Sequence, residues 1–315
     1  MLTDILIVTL SIVLLYFSAE FFVASSSRLA IRMGLTPLIV GLTIVAYGTS
    51  APETAVSIIA AIRGEGNLLV GNLIGANIFN IGIILGVSSI IRPLQVNLQI
   101  IRYDVPVMIA GAIVVLLVYF NSGMNRLSGF IILALFIIYT AINIRLAKRL
   151  AADSVKNEFD EGIPRPKGKS FQDIIILITT LIILILSANL FMHSSISIAK
   201  FWGLSDAVIG LTIIAIGTSL PEFSITAIAA FRGKADIALG NIVGSNIYRI
   251  LGALGICALI APIQIGSVTL IDVSVLLGIS LICSALLFRK FVLLRWEGGI
   301  LVLMYIAYMY HLWPK

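Results

Sequence analysis

GTSAPE at residues 48–53 and GTSLPE at residues 217–222 each lie in the middle of a long apolar stretch. Proline inside a helix lacks an N–H group, so the carbonyl four residues earlier, here that of Gly48 or Gly217, loses its partner. Glycine at that position lets the backbone unwind, and a carbonyl without a partner is costly in hydrocarbon. The two motifs therefore predict two broken helices, each beside a cavity, a neighbouring helix or an ion.

The chain around these motifs has the composition of a membrane protein. Of its 315 residues, 60% are hydrophobic and 11% are charged. The charges fall between apolar stretches of about 20 residues, the length that crosses a hydrocarbon core of ~30 Å. The ten stretches are roughly 4–27, 36–62, 67–91, 103–121, 127–147, 171–193, 205–231, 237–261, 267–288 and 292–311. We therefore predict an all-α integral membrane protein with ten transmembrane helices, of which the second and the seventh are broken.

Lysine and arginine are unequally divided between the two sides of the predicted membrane domain. Of the 21, Arg249 lies inside a span, 16 lie on one side, and the other side has only Arg63, Arg126, Lys200 and Lys315. Because cytoplasmic loops carry the excess of basic residues, the side with 16 is predicted to be cytoplasmic, with both termini outside the cell (plasma) membrane. The loop 148–170, interrupted by proline and glycine, is then a cytoplasmic linker. The net charge of +6 thus reflects topology, and we expect no nucleic acid partner.

A stretch of the sequence occurs twice. Residues 41–86 align with residues 210–255 at a constant offset of 169, with 23 identities in 46 positions and no gap. The chain therefore divides into an N-terminal half, 1–147, and a C-terminal half, 171–315, of five spans each. Because five is odd, the second half is inverted, as in secondary transporters whose substrate site lies at the midplane between broken helices. We expect the protein to work as a monomer by alternating access.

Glu53 and Glu222 follow the two prolines and lie at the predicted midplane. A carboxylate at this depth is costly and by default marks an ion path. One Ca²⁺ would neutralise a pair of such carboxylates, and so would two protons, so the two ligands compete. Further oxygen ligands of the kind that hard cations prefer come from the freed carbonyls and from the hydroxyls of Thr49, Ser50, Thr218 and Ser219. The alternative is that each motif is only a proline kink whose hydroxyls bond back to helix carbonyls.

The span after each motif carries more polar residues, three or four positions apart and therefore on one helix face. Asn80 and Ser245 are interpreted as residues of the cation site. Asn72 and Asn241, which lie next to glycines, are expected instead to hold helices together.

The doubled motif, with GNLIGANIFN and GNIVGSNIY after it, resembles the two alpha-repeats of the Ca²⁺/cation antiporter superfamily, which includes Na⁺/Ca²⁺ and H⁺/Ca²⁺ exchangers. The resemblance implies five plus five inverted helices and a secondary active antiporter that is not an enzyme and needs no cofactor. It implies Ca²⁺ ligation by Glu53, Glu222 and the backbone carbonyls of Thr49 and Thr218. It also implies flanking sodium sites, with Asn80 in the middle position, built from Ser50, Ser219, Ser245 and the carbonyls of Ala46 and Ala215.

Two residues depart from the sodium/calcium exchanger pattern. Ala76 stands where that pattern has serine, and Arg249 stands where it has aspartate. Unit charges about 4 Å apart interact by about 4 kcal/mol at an effective dielectric of about 20, so an Arg249 that reaches Glu53 or Glu222 competes with a monovalent ion. Alternatively, Arg249 pairs elsewhere or extends to the membrane surface. The sparser cation array favours protons, carried by the two glutamates, as the counter-ion for Ca²⁺. Na⁺/Ca²⁺ exchange with altered sodium sites is the alternative.

Other classes of protein fit the sequence less well. A cation channel has no use for inverted halves, and intramembrane proteases with paired carboxylates use aspartate. An anion transporter is disfavoured because glutamate occupies the half-helix N-termini at which an anion would bind. In the resembled family the first and sixth helices slide together to switch access, and here these helices carry Glu20, Ser25–Ser27, Asn189 and Ser194–Ser197 toward their ends.

Overall fold

A computed structural model describes residues 2–33, 35–161, 170–202, 215–266 and 268–312. The α-helices of the N-terminal half are α1 (Leu2–Met33), α2 (Pro37–Val40), α3 (Ala46–Thr49), α4 (Ala51–Ile62), α5 (Gly66–Phe79), α6 (Gly86–Ile91), α7 (Val105–Phe120) and α8 (Arg126–Glu161). Those of the C-terminal half are α9 (Ser170–Phe201), α10 (Ala215–Thr218), α11 (Leu220–Phe231), α12 (Ala235–Ile247), α13 (Leu254–Ile260), α14 (Leu270–Lys290) and α15 (Arg295–Leu312). Wider π-helical turns continue several of these helices at Gly41–Val45, Asn80–Leu85, Ile100–Asp104 and Tyr248–Ala253.

Within the described residues, seven helical segments are long and apolar enough to cross a membrane. They are Thr3–Met33, Gly66–Ile91, Ile100–Phe120, Arg126–Leu146, Phe171–Phe201, Ala235–Ile260 and Leu270–Lys290. Shorter apolar helices occupy Pro37–Thr49, Ala51–Ile62 and Leu220–Phe231. The protein is therefore an all-helical membrane protein. Each of the ten predicted apolar stretches contains described helix, and the count of ten spans stays a prediction.

The predicted linker 148–170 is helical in its first part, because α8 continues to Glu161. This part contains neither proline nor glycine, the residues that would end a helix. Residues 162–169 lie outside the described part of the chain.

Each GTSxPE motif interrupts its helix at a single residue. Ser50 has φ −86° and ψ 3°, and Ser219 has φ −96° and ψ 6°, between the flanking helices. Gly48 and Gly217 stay helical, so the predicted unwinding at these glycines is wrong. The proline is in the first turn of the following helix, where its missing N–H has no helical partner to lose.

The two glycines instead let the long helix α9 pack closely. A Cβ atom at Gly48 would lie 3.0 Å from Leu181 Cδ2, and one at Gly217 would lie 2.9 Å from Met192 Cγ. Both contacts are tighter than a side chain accepts without movement of its neighbour. Glycine at the breaks therefore lets Leu181 and Met192 pack against the backbone without moving.

In the described part of the chain, four two-residue strands join the halves, and each strand pairs with a strand of the other half. They are β1 (Leu94–Gln95), β2 (Gly123–Met124), β3 (Ile263–Gln264) and β4 (Val292–Leu293). β1 pairs with β4, and β2 pairs with β3, both antiparallel. The offset of 169 converts Leu94↔Leu293 into Ile263↔Met124, which is the observed register of the other pair. The repeat seen at 41–86 thus extends to the contacts between the halves.

Unusual backbone conformations recur at the same offset. Gly64 and Gly233 have φ of 73° and 72°, and Ser122 and Phe291 have φ of 53° and 55°. These left-handed residues follow equivalent helices or precede equivalent strands in the two halves. The backbone therefore changes direction at equivalent positions in both halves.

Candidate cation-binding site

Glu53 and Glu222 lie in the first turns of α4 and α11, directly after the two breaks. Both side chains are buried, with 3% and 0% of their surface exposed. The N-terminus of a helix carries a partial positive charge, which stabilises a carboxylate placed there. The structure therefore brings the two predicted glutamates together at the interface of the halves.

Arg249 lies between the two carboxylates. It is the second residue of the π-helical turn Tyr248–Ala253 that follows α12, and its side chain is fully buried. Its Nη2 atom is 3.2 Å from Glu53 Oε1 and 2.8 Å from Glu222 Oε1. Its Nη1 atom donates to the carbonyl of Ala76 at 3.5 Å. Of the two possibilities that the sequence left open for Arg249, the structure has the one in which it reaches the glutamates.

Several buried oxygen atoms of the two glutamates and of the span after the first motif have no hydrogen-bond donor. They are Glu53 Oε2, Glu222 Oε2, Asn77 Oδ1 and Asn80 Oδ1. Buried polar atoms are nearly always paired, and all four of these atoms are acceptors. With both carboxylates ionised, the two glutamates and Arg249 have a net charge of −1. The cluster therefore has both the charge and the free oxygens to accept a cation.

The hydroxyls of the first motif are already engaged. Ser50 Oγ donates to Glu222 Oε1 at 3.1 Å and so links the break in one half to the carboxylate of the other. Thr49 Oγ1 donates to the Val45 carbonyl of its own helix at 3.0 Å. In the second motif Ser219 is buried and Thr218 is half-buried.

The polar residues of the following spans contact the first broken helix and each other. Ser245 Oγ donates to the carbonyl of Ala46 at 3.4 Å. Asn80 Nδ2 donates to Asn246 Oδ1 at 3.2 Å, and Asn77 Nδ2 donates to the Asn246 carbonyl at 3.4 Å. The repeat pairs Asn246 with Asn77, and the sequence places both in the polar rows that can face the glutamate pair.

Asn241 joins helices, as its place beside a glycine predicted. Its Nδ2 donates to Thr226 Oγ1 at 2.9 Å, and its Oδ1 accepts from Thr49 Oγ1 at 3.4 Å. Asn72, its equivalent, is half-buried. Ala215 is the first residue of α10, and the residues before it, 203–214, lie outside the described part of the chain.

Close backbone packing brings the second set of helices to the site. A Cβ atom at Gly244 would lie 2.5 Å from the Leu42 carbonyl oxygen, and one at Gly240 would lie 2.8 Å from that of Leu38. Because no side chain fits there, α12 crosses the helix before the first break at contact distance, which places Ser245 beside Ala46.

A second buried polar cluster was missed from the sequence. Asp104, which is fully buried, accepts from Tyr139 Oη at 2.7 Å and from Asn143 Nδ2 at 3.0 Å. In the other half, Asp272 accepts from Tyr308 Oη at 2.8 Å. The two tyrosines differ by the repeat offset of 169 and the two aspartates by 168, so an ungapped alignment does not pair the aspartates.

The described residues contain no group of three or more histidine, cysteine, aspartate or glutamate side chains that could hold a metal ion. A cation at the cluster would therefore be bound by two carboxylates and neutral oxygens. Hard cations such as Ca²⁺ accept this mixture of ligands.

Comparison with known proteins gives consistent matches over nearly the whole chain. A family described as sodium/calcium exchanger protein matches residues 3–145 and 173–313. CaxA from Alkalimonas amylolytica, which is named as an antiporter, is 36% identical over 321 residues that cover 100% of both chains. The sodium/calcium exchanger MaX1 from Methanosarcina acetivorans is 31% identical over 342 residues and 97% of both chains. A solved structure of the sodium-calcium exchanger NCX_Mj, soaked with Na⁺ and Ca²⁺, aligns over 98% of both chains with a TM-score of 0.82 and 30% identity.

Proposed function

Because the chain belongs to the sodium/calcium exchanger protein family, we propose that it is a secondary active antiporter that moves Ca²⁺ across the membrane in exchange for protons by alternating access. The chain is a multi-pass membrane protein of an antiporter family and not an enzyme. The observation that carries the proposal is the buried pair Glu53 and Glu222, each with one carboxylate oxygen that has no donor.

Ca²⁺ is proposed to bind the two glutamates and to displace Arg249 from them. Its ligands are Glu53, Glu222 and the backbone carbonyls of Thr49 and Thr218, with Asn80 beside them. A divalent ion gains about twice the Coulomb energy that a monovalent ion gains from the same carboxylates. Ca²⁺ is therefore a better competitor than Na⁺ for the two Oε1 atoms that Arg249 contacts.

The proposal of protons as the counter-ion is supported by the state of the expected sodium ligands. Arg249 occupies the middle of the cluster, and Ala76 supplies no hydroxyl. Protons bind the carboxylates of Glu53 and Glu222 directly and need none of these ligands. The flanking positions Ser219, Ala46 and Ala215 would complete sodium sites only in the alternative function, Na⁺/Ca²⁺ exchange, which the names of MaX1 and NCX_Mj favour.

Alternating access is supported by the symmetry between the halves. The exchanged strand pairs and the recurring left-handed residues fit two five-helix units, 1–147 and 171–315, that are inverted with respect to each other and form ten spans. Arg28 near the end of α1 pairs with Asp173 near the start of α9, and Arg232 directly after α11 pairs with Glu20 in the interior of α1. The ends of these helices that carry Arg28 and Arg232 are on the basic side. We propose that this is the cytoplasmic side of the plasma membrane, with both termini outside and a monomer as the working unit.

The counter-ion can be tested with purified protein in liposomes. One arm measures Ca²⁺ uptake driven by a pH gradient without Na⁺, and the other measures uptake driven by a Na⁺ gradient with the pH clamped on both sides. Valinomycin with equal K⁺ on both sides removes the membrane potential in both arms. We expect uptake in the first arm only. Uptake in the second arm alone would establish Na⁺/Ca²⁺ exchange, and no uptake in either arm would contradict Ca²⁺ antiport.

A further inference from the structure

The two half-helices that carry the glutamates are equivalent in sequence but not equally covered. Val56 in α4 is 51% exposed, whereas its equivalent in α11, Ile225, is 0% exposed. Ala51 is exposed, whereas its equivalent, Leu220, is only 9% exposed. One face of α4 is therefore open where the same face of α11 is buried.

The long helix α1 accounts for this difference. It packs along α11, whereas the described part of α9, its equivalent in the other half, has no comparable packing on α4. In a molecule with two interchangeable halves, each half-helix is expected to be covered in turn, so the structure represents one of two related states. In this state α1 covers the outer face of α11, whereas the equivalent face of α4 is uncovered.

An ion pair fastens α1 in this position. Glu20 in α1 contacts Arg232 directly after α11, and both side chains are partly exposed. At the repeat offset of 169, Arg232 corresponds to Arg63, but Glu20 corresponds to Asn189, which carries no charge. Among the described residues, Arg63 forms no ion pair. The fastening contact therefore exists for one of the two states and is absent for its mirror image.

We propose that Glu20 and Arg232 form a one-sided latch, which holds α1 over α11 and keeps the pocket closed on the side of Arg232. That side carries the 16 basic residues, so the latch makes the transporter rest with its pocket closed toward the cytoplasm, while the equivalent face of α4 stays uncovered. The two residues act by positioning α1, and neither belongs to the ion-binding cluster. The inference rests on the alternating access of the proposed function, but not on the identity of the transported ions.

The strength of such a latch is limited by its exposure to solvent. Exposed ion pairs shift an equilibrium by about 2- to 5-fold. A latch of this size biases the resting state while an ion-driven transition can still open it. Loss of the latch should therefore raise the population of the opposite state by about the same factor.

The test compares the equivalent positions Val56 and Ile225 in a background without cysteine, made by replacing Cys257 and Cys283 with alanine. Val56→Cys or Ile225→Cys is introduced in the full chain, and a charged thiol reagent that does not cross membranes is applied to vesicles of either orientation without Ca²⁺. With the latch intact, we expect Val56→Cys to react from the outside and Ile225→Cys to be protected. Glu20→Gln or Arg232→Gln should increase the rate of Ile225→Cys from the cytoplasmic side by about 2- to 5-fold.

Two further variants separate a latch from a general loss of structure. Glu20→Arg combined with Arg232→Glu restores the ion pair and should restore protection of Ile225→Cys. Arg63→Gln, at the equivalent position in the other half, should leave both rates unchanged. The proposal is overturned if Val56→Cys does not react with the aqueous reagent, if the reversed pair gives no protection, or if Arg63→Gln acts like Arg232→Gln. Because no transport is measured, a failure of Ca²⁺ exchange would leave this result standing.

Discussion

At the centre of the pocket, one nitrogen atom of Arg249 lies within hydrogen-bonding distance of two carboxylates from different halves. Burial of three charged groups is costly, and the arrangement persists because each carboxylate has a positive partner. Two of the four carboxylate oxygens remain without a donor. The pocket is therefore stable without a bound ion, yet able to bind one.

Replacement of Arg249 should expose the mutual repulsion of the glutamates. Removal of one partner from a buried charge cluster typically costs about 3–5 kcal/mol, so Arg249→Met should lower the thermal midpoint in Ca²⁺-free detergent. Added Ca²⁺ should recover more stability in this variant than in the unmodified protein, because Ca²⁺ then has no competitor. Arg249→Lys, which keeps the charge, is the matched control. Equal Ca²⁺ stabilisation of all three proteins would contradict the competition.

Removal of either carboxylate should impair ion transport itself. Interactions with a charged group are worth about 1.5–3 kcal/mol, so Glu53→Gln and Glu222→Gln should each weaken apparent Ca²⁺ affinity by about 10- to 100-fold. The change of Ca²⁺ uptake with pH should become shallower, since each variant lacks one group that binds a proton. Uptake of radioactive Ca²⁺ into liposomes measures both. Glu65→Gln, at an exposed carboxylate, should behave like the unmodified protein, and normal transport by Glu222→Gln would rule out the proposed site.

The sequence predicted these residues because their chemistry is unusual for their surroundings. Glu53, Glu222 and Arg249 are charges inside apolar stretches, which is a strong signal on its own. The engagement of Ser50 with the opposite glutamate was not predictable, because it depends on how the halves pack. The hydrogen bond from Thr54 Oγ1 to the hydroxyl of Tyr248, at 3.3 Å, was not predicted for the same reason.

At the scale of the elements, the last two long helices of each half are joined by a hydrogen bond between an aspartate and a tyrosine. Asp104 on the turn before α7 binds Tyr139 of α8, and Asp272 of α14 binds Tyr308 of α15. The surroundings differ, because Asp104 is fully buried whereas Asp272 is half-buried and also caps its own helix through Thr269. The aspartate–tyrosine hydrogen bond should therefore contribute more to the stability of the protein in the N-terminal half than in the C-terminal half.

Loss of the two tyrosine hydroxyls measures this difference. Tyr139→Phe removes a donor from a buried carboxylate and should reduce stability by about 1.5–3 kcal/mol. Tyr308→Phe should reduce it less, because water and Thr269 can still satisfy Asp272. Thermal unfolding in detergent compares the two variants, and Ca²⁺ transport should persist in both. A larger loss for Tyr308→Phe would mean that the contact in the C-terminal half is the more important one.

The two helix breaks show which features of a helix the sequence pattern does not determine, namely the length of the interruption and the role of the glycines. Glycine, serine and proline together predicted an interruption at each motif, and the interruption is present. Its extent depended on the position of Pro52 and Pro221 in the first turn of the following helix, where a proline is accepted without distortion. The glycines are explained by contacts with Leu181 and Met192 of α9, a separate helix, which no local pattern reveals.

For the whole molecule, the contacts between the halves are predicted to be sufficient without a covalent connection. A protease site inserted into the linker 148–170 should allow cleavage into two fragments that stay together, because the strand pairs and the Arg249 cluster join the halves. Gel filtration in detergent and Ca²⁺ uptake after cleavage measure the outcome. Cleavage should occur only when the protease has access to the cytoplasmic face. Separation of the fragments would show that the linker itself holds the halves in place.

The exchanged strands also bear on how such a chain arose. Neither half contains the partners of its own strands, since β1 requires β4 and β2 requires β3. A gene encoding one half alone would yield a protein whose strands pair with those of an identical copy. That copy would be inserted in the membrane in the opposite orientation, and the two would form a closed two-fold dimer. Duplication and tandem fusion of that gene need no additional helix, because an odd number of spans already delivers the second copy in the opposite orientation. The ancestor of this protein is therefore expected to have been a dual-topology homodimer.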